Sequence, residues 1–326
     1  MRIALDVMGG DRGPEVILKG GALAASEIPD EIVLVGNEDI IGDFINKNPL
    51  PNFSIYPSEE VIQMDEEPVS AVRRKKSSSL VKCFQLLKEK KVEAVVTAGN
   101  TGAAVAAASI FLRRIKGVKR PTLAILLPTS SDFTLLLDAG ACVDTGEEEL
   151  VQFGIIGSIY VREMIGKENP RVGLLNIGEE PTKGNRVVKS AYPLLKESGL
   201  NFIGNIEGRD IFRGKADVVI CDGFVGNIVL KCGEGVAESM AMYIKEYLKK
   251  AVIPREVEGS LEKLLGDFFR RVNYSTYGGA ILLGVKGYCI ITHGASPAEG
   301  IKNSILVACR EVKKGINREI EKEFSS

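Results

Sequence analysis

Short apolar runs rich in β-branched residues alternate with longer helical patterns along the whole chain, and this alternation constrains the fold more than any other feature. It is typical of βαβ units and a largely parallel sheet. No internal repeat or Pro/Gly linker interrupts it, so we predict one α/β domain over residues 1–326. The candidate strands are Ile3–Asp6, Ile32–Val35, Phe53–Tyr56, Ala94–Thr97, Leu123–Leu127, Thr134–Leu137, Val172–Leu175, Val218–Cys221 and Tyr288–Thr292.

Two of these strands are too close in sequence for a crossover helix. Only Pro-Thr-Ser-Ser-Asp-Phe separates Leu127 from Thr134. A parallel pair needs a connection of a dozen or more residues, whereas an antiparallel pair needs only a short turn. We therefore expect one antiparallel hairpin within the sheet.

Charge and cysteine content exclude several classes of protein. The formal net charge is −1, which argues against a general nucleic-acid binder. The six cysteines form no CxxC pair, a pattern typical of reduced thiols rather than of a zinc site or disulfide framework. We find no signal peptide and no uncharged apolar run of about 18 residues. The sequence therefore predicts a cytoplasmic protein without a metal site.

Glycine-containing polar loops follow five of the candidate strands. Glycine lets backbone amides approach a ligand, and the following helix N-terminus favours an anion. A single loop of this kind is explained equally well by turn geometry. Because ligands bind at the carboxyl ends of parallel strands, we expect the five loops to converge at one edge of the sheet as an anion-accepting cleft. These loops follow Asp6, Thr97, Leu175, Cys221 and Thr292.

The usual nucleotide and hydrolase motifs are missing from the sequence. The stretch from Gly208 to Lys215 resembles a Walker A motif, but Ala216 stands where Ser or Thr should bind magnesium. No GxGxxG fingerprint opens a helix, and neither HExxH nor GxSxG is present. We therefore expect no nucleotide cofactor.

Taken in order along the chain, the loop motifs resemble those of the PlsX family, the phosphate acyltransferases of bacterial phospholipid synthesis. One small departure is Cys142, where the resemblance leads us to expect Asn. The matching motifs are Asp6-Val-Met-Gly-Gly-Asp11, Ser77-Ser-Ser-Leu80, Ala98-Gly-Asn-Thr-Gly-Ala103, Leu175-Asn-Ile-Gly-Glu-Glu180 with Lys183-Gly184, Gly204-Asn-Ile-Glu-Gly-Arg-Asp210, Cys221-Asp-Gly-Phe-Val-Gly-Asn227, Tyr277-Gly-Gly-Ala280 and His293-Gly294.

The resemblance implies a fold and an activity. The fold is a three-layer, mostly parallel sheet like that of isopropylmalate dehydrogenases and phosphate acetyltransferases, here with a protruding helical hairpin at residues 235–272. The activity moves a long-chain fatty acyl group from acyl carrier protein to inorganic phosphate, giving acyl phosphate for phospholipid synthesis. The resemblance also implies a homodimer and no cofactor.

Acyl transfer from a thioester to phosphate requires positioning and oxyanion stabilisation more than a covalent nucleophile. We assign Lys183 to neutralising the phosphate or the oxyanion, and Asn227 to donating to the thioester carbonyl. The alternatives are a solvated lysine and a helix N-cap. The predicted phosphate-binding residues are Gly99, Asn100, Thr101, Gly102 and His293. The predicted supporting residues, for which helix capping is the alternative, are Asp6, Gly9, Gly10, Asp11 and Asp222.

Two basic clusters and one apolar segment suggest partners. Cations at Arg73, Arg74, Lys75 and Lys76 precede a helix and suit the acidic surface of acyl carrier protein, as an alternative to a solvated face. A second cluster spans residues 113–120. Val252 and Ile253, flanked by cations, predict a membrane-surface tip, as an alternative to packing against a partner. Such a tip fits attachment to the inner face of the plasma membrane, beside a membrane-bound glycerol-3-phosphate acyltransferase.

Other functions stay open at this stage. A phosphate acetyltransferase that uses coenzyme A would require an adenine-nucleotide pocket. A non-catalytic scaffold for carrier protein and membrane would keep its role when Lys183 is replaced by Ala. A nicotinamide-dependent dehydrogenase is disfavoured by the missing dinucleotide fingerprint.

Overall fold

One sheet runs through the protein. The computed structural model describes residues 1–130, 132–250, 259–261, 263–266, 268 and 277–325. Within them the strand order is β3-β2-β1-β4-β11-β10-β5-β6-β9-β7-β8. The strands are β1 (Arg2–Asp6), β2 (Glu31–Gly36), β3 (Phe53–Pro57), β4 (Ala94–Thr97), β5 (Thr122–Pro128), β6 (Phe133–Leu137), β7 (Val172–Leu175), β8 (Phe202–Ile206), β9 (Val218–Ile220), β10 (Ala280–Leu283) and β11 (Tyr288–Ile291).

Helices cover both faces of this sheet, so the architecture has three layers. The described helices are α1 (Pro14–Ala25), α2 (Glu38–Lys47), α3 (Pro68–Arg74), α4 (Ser79–Lys88), α5 (Thr101–Phe111), α6 (Glu147–Tyr160), α7 (Arg186–Glu197), α8 (Gly208–Ile211), α9 (Gly223–Lys250), α10 (Ala298–Lys314) and α11 (Ile316–Glu323). A π-helical turn, Val161–Ile165, continues α6.

Successive strand residues point to opposite faces, and each face has its own apolar core. Ile3 and Leu5 of β1 contribute to a core with α1, α6, α7, α10 and α11. Ala4, between them, contributes to a second core with α3, α4 and α5. Because both faces of these strands are buried, they read in the sequence as continuous apolar runs.

The sheet consists of two parallel halves that run in opposite directions. β3, β2, β1, β4 and β11 are parallel to one another, and so are β6, β9, β7 and β8. Between the halves, the β11–β10, β10–β5 and β5–β6 pairs are all antiparallel. Three successive reversals invert the second half. The prediction that all five polar loops leave one edge of the sheet is therefore wrong, although opposite strand directions do not by themselves keep the loops of the two halves apart.

The predicted strands agree with the structure. All nine are present with ends that differ by at most one residue, and the expected hairpin is β5–β6. β8 and β10 were missed. β8 contains Gly204 and Asn205, which weaken its strand signal.

The predicted hairpin at 235–272 is described only in part. Residues 235–250 continue α9, which is 28 residues long. Val252 and Ile253 lie outside the described residues. Among the residues that the structure describes, no helix has the length and apolarity needed to cross a bilayer.

Candidate active site

A cavity of about 280 Å³ lies on one face of the sheet, between the first turns of α5 and α9. Its floor is apolar and belongs to the core under α3, α4 and α5. Polar side chains occupy the rest of its wall, a combination typical of ligand sites. The apolar lining residues are Leu123, Ile125, Ala139, Leu230, Ala280 and Ile291; the others are Thr101, Gly102, Gly140, Asn227, Lys231, Glu234, Thr292 and His293.

The β4–α5 loop is held by the side chain of Asn100. Its Oδ1 accepts a hydrogen bond from the Ala103 amide at 2.9 Å and so caps α5. Its Nδ2 donates to the carbonyls of Met64 at 3.0 Å and Glu66 at 3.2 Å. The Asn100 side chain is thus used by the fold, and Thr101 and its neighbour are the residues that line the cavity.

The first turn of α5 offers amides to an anion. Amides of a helix's first turn have no intrahelical acceptor, and the helix dipole adds positive potential there. Gly102 is required by packing, because a Cβ at this position would lie 2.7 Å from Cγ of Pro68, the first residue of α3. The start of α3 therefore closes tightly on the start of α5.

A buried carboxylate supports this loop from below. Thr97 Oγ1 donates to Asp6 Oδ2 at 2.7 Å and accepts from the Gly99 amide at 3.0 Å. Burial raises the pKa of Asp6, although hydrogen bonds from Ser79 and Thr97 oppose the shift. A Cβ on Gly9 would lie 2.7 Å from the Gly99 nitrogen. Asp6, Gly9 and Gly99 therefore form packed support beneath the cavity wall.

The β1–α1 and β11–α10 loops are joined at the same edge. The Asp11 amide donates to the Gly294 carbonyl at 2.8 Å. A Cβ on Gly10 would lie 3.2 Å from that carbonyl oxygen, and a Cβ on Gly294 would lie 2.5 Å from the Asp11 carboxylate. This contact places His293 beside the cavity.

His293 is exposed, and a backbone contact selects the tautomer of its neutral ring. Nδ1 accepts a hydrogen bond from the Ala295 amide at 3.1 Å. A neutral imidazole that accepts at one nitrogen carries its proton on the other, so Nε2 is the donor. His293 is therefore built to donate to an anion in the cavity.

The opposite wall is the first three turns of α9. Asp222 Oδ1 accepts from the Val225 amide at 2.8 Å, which caps this helix. Asn227 lies one turn into the helix rather than at its start. Lys231 and Glu234 follow Asn227 at intervals of four and three residues, so one face of α9 presents all three to the cavity.

Asp138 fixes the loop between these walls. The buried carboxylate accepts hydrogen bonds from the amides of Leu123, Gly140, Ala141 and Cys142 at 2.9, 3.1, 2.9 and 2.6 Å. Burial raises its pKa to about 6, against the influence of these donors. The carboxylate shapes the cavity wall at residues 139–140 and does not line it.

Cys142 has a structural position. Burial raises the pKa of its thiol to about 11, and Sγ donates to the Pro121 carbonyl at 3.3 Å. A protonated, buried thiol does not act as a nucleophile at neutral pH. Elsewhere, no group of His, Cys, Asp or Glu among the described residues is arranged to hold a metal ion.

Lys183 lies apart from the cavity. It is exposed in the β7–α7 loop, where its amide donates to the Glu180 carbonyl at 3.0 Å and its carbonyl accepts from Asn176. It is not among the lining residues, whereas Lys231 is. Lys231 and Glu234 were not predicted as site residues, because they lie within a continuous helical pattern. Their spacing of four and seven residues from Asn227 places them on the same helix face, and this pattern could have predicted them.

The first basic cluster is partly neutralised. Lys75 Nζ lies 2.5 Å from Glu66 Oε1 and donates to the Val61 carbonyl at 2.7 Å. Arg74 lies 3.5 Å from the other oxygen of the same carboxylate. Arg73 and Lys76 are exposed.

Solved structures define the class of this fold. A phosphotransacetylase from Streptococcus pyogenes aligns with a TM-score of 0.64 and 15% identity, covering 96% of this chain and 94% of its own. A phosphotransacetylase from Staphylococcus aureus gives a TM-score of 0.60 at 14% identity, with the same coverage. At such identities the likeness shows a shared fold alone. The protein has the phosphotransacetylase fold.

Sequence relatives narrow this to a family. A family model described as fatty acid synthesis protein matches residues 1–319. The phosphate acyltransferase of Pelotomaculum thermopropionicum is 47% identical over 100% of this chain and 96% of its own length. That of Heliobacterium modesticaldum is 46% identical over 99% and 98%. The chain belongs to the PlsX family of phosphate acyltransferases, which serves fatty acid and phospholipid synthesis.

Proposed function

We propose that this chain transfers a long-chain fatty acyl group from acyl carrier protein to inorganic phosphate. A phosphate oxygen attacks the thioester carbonyl, the C–S bond breaks, and acyl phosphate and the free carrier thiol are the products. One observation carries the proposal: a single cavity combines an apolar floor with the α5 N-terminus and the cation Lys231. The apolar floor suits the acyl group, and the polar wall suits the phosphate.

The polar residues divide between two tasks. The first-turn amides of α5, at Thr101 and Gly102, and His293 Nε2 hold phosphate. Asn227 donates to the thioester carbonyl oxygen, where negative charge develops in the transition state. Phosphate is already anionic at neutral pH, so the reaction needs no strong general base.

Lys231 neutralises the charge that gathers when phosphate attacks. The sequence analysis predicts this task for Lys183, but Lys183 is not among the cavity-lining residues, and Lys231 lies one helical turn from Asn227. Both lysines are exposed, so the assignment depends on position: Lys231 lines the cavity, where a cation can stabilise the developing oxyanion.

The test is an assay of the purified chain with palmitoyl-acyl carrier protein, with and without phosphate. We expect carrier thiol to appear only when phosphate is present, and hydroxylamine to trap the acyl phosphate as a hydroxamate. Thiol release that is independent of phosphate would contradict the proposal. Faster turnover of acetyl-coenzyme A than of the carrier-bound donor would favour the phosphotransacetylase alternative instead.

We also propose a homodimer. The distal part of α9 exposes an apolar stripe of Val236, Met240, Tyr243 and Tyr247, with 63%, 53%, 59% and 75% of each residue accessible. Their spacing of four, three and four residues keeps them on one helix face, the pattern of a helix that packs against a partner. Replacing Tyr243 with Asp should shift the mass measured by light scattering from dimer to monomer; an unchanged mass would rule out this stripe.

The membrane-surface tip at Val252 and Ile253 stays a proposal, as does delivery of acyl phosphate to a membrane-bound glycerol-3-phosphate acyltransferase. An acyl phosphate is amphiphilic, so release beside a bilayer would favour its transfer. Replacing both residues with Asp should abolish co-sedimentation with liposomes while the thermal unfolding curve stays the same. Unchanged co-sedimentation would reject the tip.

A further inference from the structure

A second concavity, of about 680 Å³, lies at the carboxyl end of α5 and is lined by residues 109–121. We call it the basic groove. Of the described residues that line it, none is Asp or Glu. Since the whole chain carries a net charge of only −1, this is a strong local concentration of positive charge. The five cations of the groove are Arg113, Arg114, Lys116, Lys119 and Arg120.

The loop that carries these cations is held firmly by the fold. Ile115 and Val118 point into the core and are buried. The Ile115 amide donates to the Gly284 carbonyl at 3.0 Å, and the Lys286 amide donates to the Arg113 carbonyl at 2.7 Å. The cations therefore project from an ordered surface, which lowers the entropy cost of binding a partner.

Most of this charge has no internal counter-charge. Lys119 pairs with Glu148, and Arg114 donates to the Lys119 carbonyl. Arg113, Lys116 and Arg120 are exposed, and no ion pair to them exists in the part of the chain that the structure describes. In the cluster at residues 73–76, by contrast, both Arg74 and Lys75 contact Glu66.

The basic groove and the cavity lie at opposite ends of α5, which is 11 residues and about 16 Å long. They are also linked along the chain, because Pro121 lines the groove and Leu123, two residues further on, lines the cavity floor. Ile110, 46% accessible, adds an apolar contact to the groove. A partner seated here would reach the cavity with an extended thioester arm that spans about the length of α5.

We infer that the basic groove docks the acidic protein that carries the acyl thioester. The inference rests on the proposed function and names the surface that presents its substrate. Complementary charge at the rim of a site speeds association and selects the partner, without contributing to the chemical step. The cations lie outside the cavity, as this division of tasks requires.

The experiment compares two double charge reversals. The groove variant alters the basic groove and carries Arg113→Glu with Lys116→Glu. The matched variant makes the same change in charge at the cluster of residues 73–76 and carries Arg73→Glu with Lys76→Glu. For each variant we would measure kcat/KM with octanoyl-acyl carrier protein and with octanoyl-N-acetylcysteamine, a small thioester without a protein. The affinity for unacylated carrier protein would be measured separately by calorimetry.

We would divide kcat/KM for octanoyl-acyl carrier protein by kcat/KM for octanoyl-N-acetylcysteamine. In the groove variant we expect this ratio to fall about tenfold or more. Carrier binding should also be weaker, and kcat/KM for the protein donor should depend less on salt. The matched variant should keep the wild-type ratio. Co-sedimentation of each variant with phosphatidylglycerol vesicles would be measured as well. The inference is overturned if the matched variant shows the loss instead, or if the groove variant loses only vesicle binding. If the wild type shows no phosphate-dependent transfer, the proposed function is wrong. The calorimetry would still show whether carrier protein binds to the basic groove.

Discussion

Gly226 packs directly against the carbonyl of Asp138: a Cβ on Gly226 would lie 1.8 Å from that oxygen. Only glycine allows the first turn of α9 to approach the β6–α6 loop so closely. The same turn precedes Asn227 and Lys231, so this contact sets where the polar wall of the cavity stands.

Replacing Gly226 with Ala should therefore move the start of α9 as well as destabilise the protein. Overpacking of this kind costs about 1–3 kcal/mol. We expect a lower free energy of unfolding in urea and a fall in acyl transfer, because Asn227 is displaced. Gly235, in the same helix, has no atom within 4 Å of its Cβ position and gives the control. Its replacement by Ala should raise stability by about 0.5–1 kcal/mol. Equal effects of the two substitutions would contradict the packing argument.

Lys231 and Lys183 give a direct comparison of the two candidate cations. Lys231→Met keeps an unbranched side chain only one atom shorter and removes its charge from the cavity, so kcat/KM should fall by a factor on the order of 10². Lys183→Met should have a smaller effect, because Lys183 is exposed in a loop that does not line the cavity. Steady-state kinetics with varied phosphate would decide between them. A larger loss in Lys183→Met would return the catalytic role to Lys183.

The difference between these lysines shows what the sequence could and could not predict. Strand positions followed from local composition, because each buried strand is a short apolar run between polar loops. The relative direction of the two half-sheets did not, since it depends on β10, a strand that was not predicted. Direction alone does not separate the two lysines, because β7 and β9 are parallel neighbours. The helix after β9 carries Lys231 to the cavity, whereas Lys183, in the loop after β7, is not among the lining residues.

The loops of the first half-sheet were predicted more successfully than those of the second. β1, β4 and β11 are parallel neighbours, so their glycine-containing loops do lie together, with Thr101 and His293 at one cavity. The chemistry of a single loop residue was harder to predict. Asn100 was expected to bind phosphate, yet its side chain contacts backbone groups of residues that are more than 30 positions away in sequence.

Asn100 offers a test that separates capping from loop attachment. Asn100→Asp keeps an oxygen for the Ala103 amide but places a second oxygen where Nδ2 donates to the carbonyls of Met64 and Glu66. We expect a loss of about 1–3 kcal/mol in unfolding free energy from the unpaired acceptors. The added negative charge at the α5 N-terminus should also raise KM for phosphate. Asn100→Ala, which loses the cap at a cost of about 1 kcal/mol, should raise that KM less. The reverse order would place phosphate elsewhere.

A buried carboxyl remote from the cavity predicts how stability depends on pH. Glu311 in α10 is 1% accessible and hydrogen-bonds the Tyr160 hydroxyl of α6. Burial raises its pKa from 4.5 to about 8, so the folded protein holds this proton at neutral pH. The unfolded chain releases the proton near pH 4.5. The stability from the protonated group is therefore complete below pH 4.5 and is lost as pH rises through about 8.

Glu311→Gln should remove this dependence, because an amide has nearly the same shape and does not titrate. Between pH 5 and 8 the wild type should lose up to about 1.4 kcal/mol per pH unit from this group, and the variant should lose less over the same range. Asp6 and Asp138, whose pKa values are also raised by burial, would leave a residual slope at the acidic end. Urea unfolding at several pH values measures the slope, with Glu168→Gln, at an exposed position, as the control for losing one acidic side chain. Parallel curves for wild type and Glu311→Gln would show that Glu311 is ionised in the folded protein and that burial does not govern its proton.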